Sequence, residues 1–249
     1  ADYRAYQPGD DFRYIDWNIF ARLNRPFVKV FTADQNLELH LLVDTSSSMR
    51  FGKPPRLDYA KQLAAALAYL ALHGLDRVGL SCFADTVRYG APTLEKRADE
   101  FRLLKYLSTL EAGGETDVAQ SLTHYARTAR RPGLAVIISD FLTGGRPESG
   151  LQALRARGFD VMAVQILDRA ELRPRVRGSV RLVDGETGEE EDLAVDRRTA
   201  REYRANLDQY SDELSRFCRG AGMEFLRLTT EIPVDEALLR QMRGGLFIR

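Results

Sequence analysis

Cysteine is nearly absent from this 249-residue sequence. There are two, Cys82 and Cys218, far apart and each in a hydrophobic context. Two thiols cannot build a disulfide framework, and their spacing matches no zinc motif. That usage fits a reducing compartment, with a single buried bridge as the alternative. Histidine is almost as scarce: His40, His73 and His124 fall on a predicted strand and two predicted helices with no shared loop, which assigns them structural roles. An excess of one charge is missing too. The 36 Lys plus Arg balance 36 Asp plus Glu, so no global field draws in nucleic acid or an anionic membrane surface. No apolar run approaches the roughly 20 residues that span a bilayer, and the start carries no charged-then-apolar secretion signal. A soluble, cytoplasmic or cytoplasm-facing chain is expected. Its first residue, Ala1, lies inside what reads as an ordered motif, so an upstream segment, with or without a membrane anchor, is also expected.

What the sequence does contain is an alternation of strand and helix patterns. Leu39 to Val43 and Leu134 to Ile138 are apolar, β-branched runs that each end in or just before an acidic turn, the pattern of strands buried on both faces. Val78 to Phe83, Val161 to Leu167 and Met223 to Leu228 are similar runs. Between them, Ala60, Leu63, Ala64, Leu67, Leu70 and Ala71 recur at helical spacing within Leu57 to Leu72. Phe101, Leu104, Leu107 and Leu110 predict a second helical face, and Tyr203, Leu207, Tyr210, Leu214 and Phe217 a third. The expected class is α/β, a doubly wound, mostly parallel open sheet.

Two stretches stand outside this rhythm. Ser179 to Val183 and Asp192 to Val195 flank the turn Asp184-Gly185-Glu186-Thr187-Gly188, which predicts a β-hairpin insertion over about 178–196. It is either an exposed ribbon without a task or a docking element. Residues 1–36 are expected to form a separate N-terminal segment packed on the sheet of 37–249, with a turn at Pro8-Gly9-Asp10 and a strand from Phe27 to Thr32. Trp17 would pack that ribbon, while Arg4, Arg13 and Arg22 pair with Asp10, Asp11 or Asp16.

Ligands of open α/β sheets gather at the carboxyl ends of the strands. Three predicted loops at that edge carry oxygen donors. They are Asp44-Thr45-Ser46-Ser47-Ser48, Gly113-Gly114-Glu115-Thr116-Asp117 and Ser139-Asp140. No histidine or cysteine accompanies them, which disfavours zinc or copper and favours a hard ion, Mg2+ first with Mn2+ or Ca2+ behind it. The bland alternative is that Asp44 only caps the following helix. That would explain one loop but not three.

Asp-x-Ser-x-Ser, then a distant Gly-Gly-x-Thr-Asp, then Ile-Ser-Asp resembles the metal-ion-dependent adhesion site (MIDAS) of von Willebrand factor A domains. The resemblance implies hydroxyl ligands at Ser46, Ser48 and Thr116 and carboxylates at Asp44 and Asp140, binding directly or through water. The stretch Tyr3-Arg4-Ala5-Tyr6-Gln7-Pro8-Gly9-Asp10-Asp11, then Arg13-Tyr14-Ile15-Asp16-Trp17 and Ala21-Arg22, is similar to the signature of one bacterial family, domain of unknown function fifty-eight. That likeness runs through almost the whole chain. It implies a partnership with MoxR-type AAA+ ATPases as adaptor or effector.

Catalysis finds little support. There is no Gly-x-x-x-x-Gly-Lys-Ser/Thr loop to cradle phosphate. An aspartyl phosphatase would carry a second carboxylate at position 46, where serine stands. A serine nucleophile would need a base within reach. The expectation is therefore a metal-dependent protein-protein interaction module, not an enzyme, whose partner offers an Asp or Glu carboxylate to the ion. The alternative is a metal-dependent hydrolase using the same loops, distinguished by product release that an Asp44 variant abolishes.

Overall fold

The computed structural model describes residues 2–5, 27–30, 38–74, 76–84, 87–89, 93–142, 145–173, 178–183 and 190–243. The chain divides into two compact units, Ala1–Asn36 and Leu37–Arg249. In the first, β1 (Asp2–Ala5) pairs antiparallel with β2 (Phe27–Val30), Asp2 opposite Val30 and Ala5 opposite Phe27. Trp17, the turn at Pro8 and the pairings expected of Arg13 and Arg22 lie outside the described residues.

The second unit is built on β3 (Glu38–Asp44), β4 (Arg77–Phe83), β5 (Val87–Tyr89), β6 (Leu134–Ser139), β7 (Asp160–Leu167) and β10 (Glu224–Thr229). Their order across the sheet is β10-β7-β6-β3-β4-β5. Five strands are parallel, and β5 turns back antiparallel on the edge. The order runs outward from β3 in both directions, so the sheet has its switch point between β3 and β6, where crevices open at the carboxyl edge.

Both faces of the sheet are covered, which is why the central strands read as continuous apolar runs. Leu41, Val43, Val136 and Ile138 point to one side, against Leu63 and Leu67 of α1 (Arg56–His73) and Leu103 and Leu107 of α2 (Glu100–Thr109). Leu42, Ala135 and Ile137 alternate to the other side. There they meet Leu122 of α3 (Val118–Thr128), Leu151 of α4 (Glu148–Ala156) and Leu214 of α6 (Arg197–Gly220). A short α5 (Arg169–Leu172) follows β7, and α7 (Val234–Arg243) closes the described chain. Strands β8 (Gly178–Val183) and β9 (Glu190–Val195) form a two-stranded antiparallel hairpin. Its connecting turn, 184–189, lies outside the described residues.

The expected face of α2 needs correction. Phe101 is 85% exposed and Leu104 51% exposed, whereas Leu103, Leu107 and Leu110 are buried. Positions 103, 107 and 110 also lie on one helical stripe, and that overlapping stripe faces α1. At the margins of the other stripes, Leu70 and Tyr203 are each 45% exposed. Both cysteines are buried free thiols, so no bridge forms between them. Among the described residues no helix is long and apolar enough to cross a membrane.

Candidate metal centre

The site begins where β3 ends. Asp44, the last residue of that strand, is fully buried. Its Oδ1 accepts the Ser46 N–H at 2.8 Å, so the chain folds back on its own carboxylate within two residues. Ser46 is also fully buried, and its Oγ lies 3.0 Å from Ser48 Oγ. A single 3-10 turn, Ser47–Arg50, follows. Neither that turn nor α1, whose N-cap is Pro55, receives a side-chain cap. Asp44 is therefore not a helix cap.

The second loop is stitched to the first by backbone hydrogen bonds, Ser47 N–H to Gly114 O at 2.9 Å and Gly113 N–H to Thr45 O at 2.8 Å. Gly114 has φ +86°, a left-handed conformation that explains the glycine. Thr116 is half-buried, and its hydroxyl donates to Ala84 O at 2.8 Å. Asp117 caps α3 by accepting the Gln120 N–H.

The third loop leaves β6. Ser139, fully buried, donates its hydroxyl to Asp44 Oδ2 at 2.5 Å and accepts the Phe141 N–H at 2.9 Å. Asp140 is fully buried as well, with Oδ1 accepting the Leu142 N–H at 3.0 Å. Phe141 holds φ +55°, rare for a bulky residue, and its carbonyl accepts the Tyr210 hydroxyl at 2.6 Å.

Asp44, Ser46, Ser48 and Asp140 are thus brought together. The Thr116 loop is tied in beside them, with its hydroxyl turned to Ala84 O. Burial, then the neighbouring Asp140 carboxylate, pushes Asp44 up to about 7, against the opposing pull of its Ser139 and Ser46 hydrogen bonds. The partners of Asp44 are neutral groups. That is the situation a bound cation relieves, and the donors are all oxygen, so these residues fit a hard divalent ion. Among the described residues no three His, Cys, Asp or Glu side chains gather at one point, here or elsewhere, so the candidate ligands are two carboxylates and hydroxyls. The histidines stand elsewhere: His40 bonds Tyr125 OH at 2.8 Å near the start of β3, and His73 and His124 sit on α1 and α3.

Arg56 is the participant that sequence patterns did not reveal. It is 3% exposed, and its Nη2 lies 3.0 Å from Asp140 Oδ2 while also donating to Ser48 O. Its Nη1 reaches Glu171 Oε1 at 2.7 Å. Burial raises Glu171 against the opposing pull of Arg56. Glu171 in turn accepts the Asp168 N–H at 2.7 Å. Gln165, fully buried, donates to Asp140 O at 3.0 Å. The available signal was an arginine at the first position of a helix whose buried face is apolar.

Comparison with known proteins places the chain among relatives. A family described as "Protein of unknown function DUF58" matches residues 2–213. An uncharacterized protein of Mycobacterium tuberculosis (strain ATCC 25618 / H37Rv) is 33% identical over 233 residues, covering 92% of this chain and 73% of that protein. An uncharacterized protein of Mycobacterium avium is 31% identical over 143 residues, or 56% of this chain and 84% of that one. Among solved structures, the conserved hypothetical protein BatB from Bacteroides thetaiotaomicron superposes with a TM-score of 0.52 at 14% identity, covering 84% of this chain and 98% of its own. Proximal thread matrix protein 1 from the mussel byssus, with a zinc-occupied MIDAS motif, gives 0.51 at 14% identity, over 85% of this chain and 48% of its own. At such identity the likeness is one of fold, and the fold is von Willebrand factor A-like.

Proposed function

Because the chain belongs to the DUF58 family, whose description fixes no activity, we propose from the site itself that it is a metal-dependent protein-protein interaction module and not an enzyme. The observation that carries the reading is Asp44, a fully buried carboxylate with neutral hydrogen-bond partners, set beside the Ser46 and Ser48 hydroxyls and a second buried carboxylate, Asp140.

Asp44, Ser46 and Ser48 would hold the ion, with Thr116 and Asp140 completing the set. Mg2+ is the first choice from the all-oxygen chemistry, followed by Mn2+ and Ca2+. The zinc in the mussel protein adds Zn2+ to the ions to be tried. When bound, the ion supplies an electrophilic position that an incoming carboxylate can occupy. Arg56 neutralises Asp140 from the protein side, which leaves the site less anionic than two free carboxylates would make it. Thr116 can release Ala84 O and turn inward, so the loop has two arrangements for a partner to bias.

The partner class is a protein that presents an aspartate or glutamate. By the family resemblance, a MoxR-type AAA+ ATPase or its client is the first to test, in the cytoplasm or facing it. Calorimetric titration of such an ATPase into the chain should show binding in magnesium and none in chelator. Binding of equal strength in chelator and in Asp44→Ala would refute this reading.

A further inference from the structure

Beyond the carboxyl ends of β7 and β10 lies a cavity of about 760 Å³, lined by residues that follow three strands of the same edge. Arg50, Lys53, Arg169 and Arg173 face only Asp168 and Glu231 there. Four cations against two carboxylates leave an excess of two positive charges in a chain whose total is balanced. The carboxylates are already committed. Glu231 pairs with Arg169 at 3.0 Å, and Asp168 accepts the Thr230 hydroxyl and the Ala170 N–H, both at 2.8 Å. Arg50 is turned to Ala112 O. The exposed side chains of Lys53 and Arg173 have no ion-pair partner among the described residues.

None of the candidate metal ligands lines the cavity, but neighbouring residues link the two. Arg50 closes the 3-10 turn that begins at Ser47, and Arg56 joins Asp140 and Ser48 O to Glu171, whose capping partner Asp168 lines the cavity. Gly52 lets the loop close over it, since a Cβ there would come 2.8 Å from Asp168 Oδ2 and its φ is +102°. The metal loops leave the sheet between β3 and β6, and the cavity lies past β7 and β10, two strand spacings further on in the order β10-β7-β6-β3. At about 4.8 Å per strand this is roughly 10 Å, the distance that three residues of polyproline II helix cover while returning the side chain to the same face.

We propose that this basic cavity is a second anchor for the same partner, and that the partner segment is an acidic peptide in polyproline II conformation carrying two carboxylates three residues apart. One goes to the ion and the other to Lys53 and Arg173. The inference rests on the metal-dependent reading of the first anchor. It adds what that reading lacks, a reason why one acidic segment is preferred over a solitary surface carboxylate.

The test uses two blocked peptides, Ala-Asp-Ala-Ala-Asp-Ala and Ala-Asp-Ala-Ala-Asn-Ala, titrated into the chain in magnesium and in chelator. In the wild type the two-acid peptide should bind about tenfold more tightly, equivalent to about 1.4 kcal/mol. Lys53→Ala with Arg173→Ala should erase that advantage, leave the one-acid peptide unaffected and leave the melting temperature unchanged. An advantage that survives the double substitution overturns the cavity proposal, as does absence of two-acid binding up to millimolar peptide. If the double substitution erases the advantage while neither peptide responds to chelator, the cavity stands as an acid-binding site and the metal-dependent reading fails on its own.

Discussion

Arg56 Nη2 stands 3.0 Å from Asp140 Oδ2 with both side chains buried, so the carboxylate expected to serve a metal ion is already paired with a protein cation. The same guanidinium holds Glu171 at 2.7 Å. Removing one member of a buried ionic group strands its partners, which costs far more than the pair itself contributes. Arg56→Met should therefore destabilise the fold by about 3–5 kcal/mol in urea denaturation. Arg56→Lys should recover only part, because an ammonium cannot match the planar fork that reaches three acceptors. A loss below about 1 kcal/mol for Arg56→Met, the size of an exposed pair, would show that the group is not buried in solution.

A ligand that binds only the folded state stabilises it by mass action. Magnesium at about 100 times its dissociation constant should add about 2.7 kcal/mol. For a domain of this size that is a rise in melting temperature of roughly 5–10 °C. Asp44→Ala, or Ser46→Ala with Ser48→Ala, should fold and show little of the rise. Equal shifts in wild type and variants would place the ion elsewhere.

His40 offers a pH dependence away from the metal centre. Burial lowers it from 6.5 to about 4, with Nδ1 on Tyr125 OH and the ring 5.0 Å from that of Phe159. A histidine depressed in the folded state takes up its proton first in the unfolded chain. Its contribution is thus complete above pH 6.5 and is lost as pH falls toward 4. By pH 5 the loss should reach about 2 kcal/mol, less whatever the Glu38 carboxylate, 3.8 Å from Nε2, returns to the protonated ring. Urea denaturation at pH 7.5 and 5 should show it in the wild type, and the difference should shrink in His40→Gln. Identical slopes in both would locate the acid sensitivity in other groups.

The sheet was legible because each central strand is a mostly apolar run, broken by His40 in β3 and Gln165 in β7, and a run such as Leu134–Ser139 has few other ways to be buried on both faces. The loops were legible because Asp44, Thr116 and Asp140 sit at strand ends or helix starts, where chain direction alone brings them to one edge. Arg56 with Glu171 was not, since the partners are 115 positions apart and nothing local to either points to the other. Ser139 was seen as a neighbour of Asp140, but its grip on Asp44 depends on the left-handed turn at Phe141, which no propensity predicts for phenylalanine. The face of α2 was misjudged because two stripes share Leu107 and Leu110, and only the packing of α1 decides between them.

Thr116 separates ligand binding from stability. Its hydroxyl donates to Ala84 O at 2.8 Å, a carbonyl that Ser121 Oγ also reaches at 3.4 Å, so Thr116→Ala leaves that acceptor a partner. The cost to stability should stay within about 0.5–1.5 kcal/mol. If the hydroxyl turns to the ion when a partner docks, the same substitution should weaken partner binding in magnesium and change nothing in chelator, where none is expected. A partner aspartate or glutamate converted to its amide keeps its shape and loses its charge. It should weaken binding by more than the ceiling of about 1 kcal/mol set by a rim salt bridge. Combined with Thr116→Ala, the amide change should cost less than the sum of the two, because both act through one ion. Full additivity, measured by calorimetry across the four combinations, would mean that threonine and carboxylate serve separate contacts, with the β8–β9 hairpin the next surface to mutate.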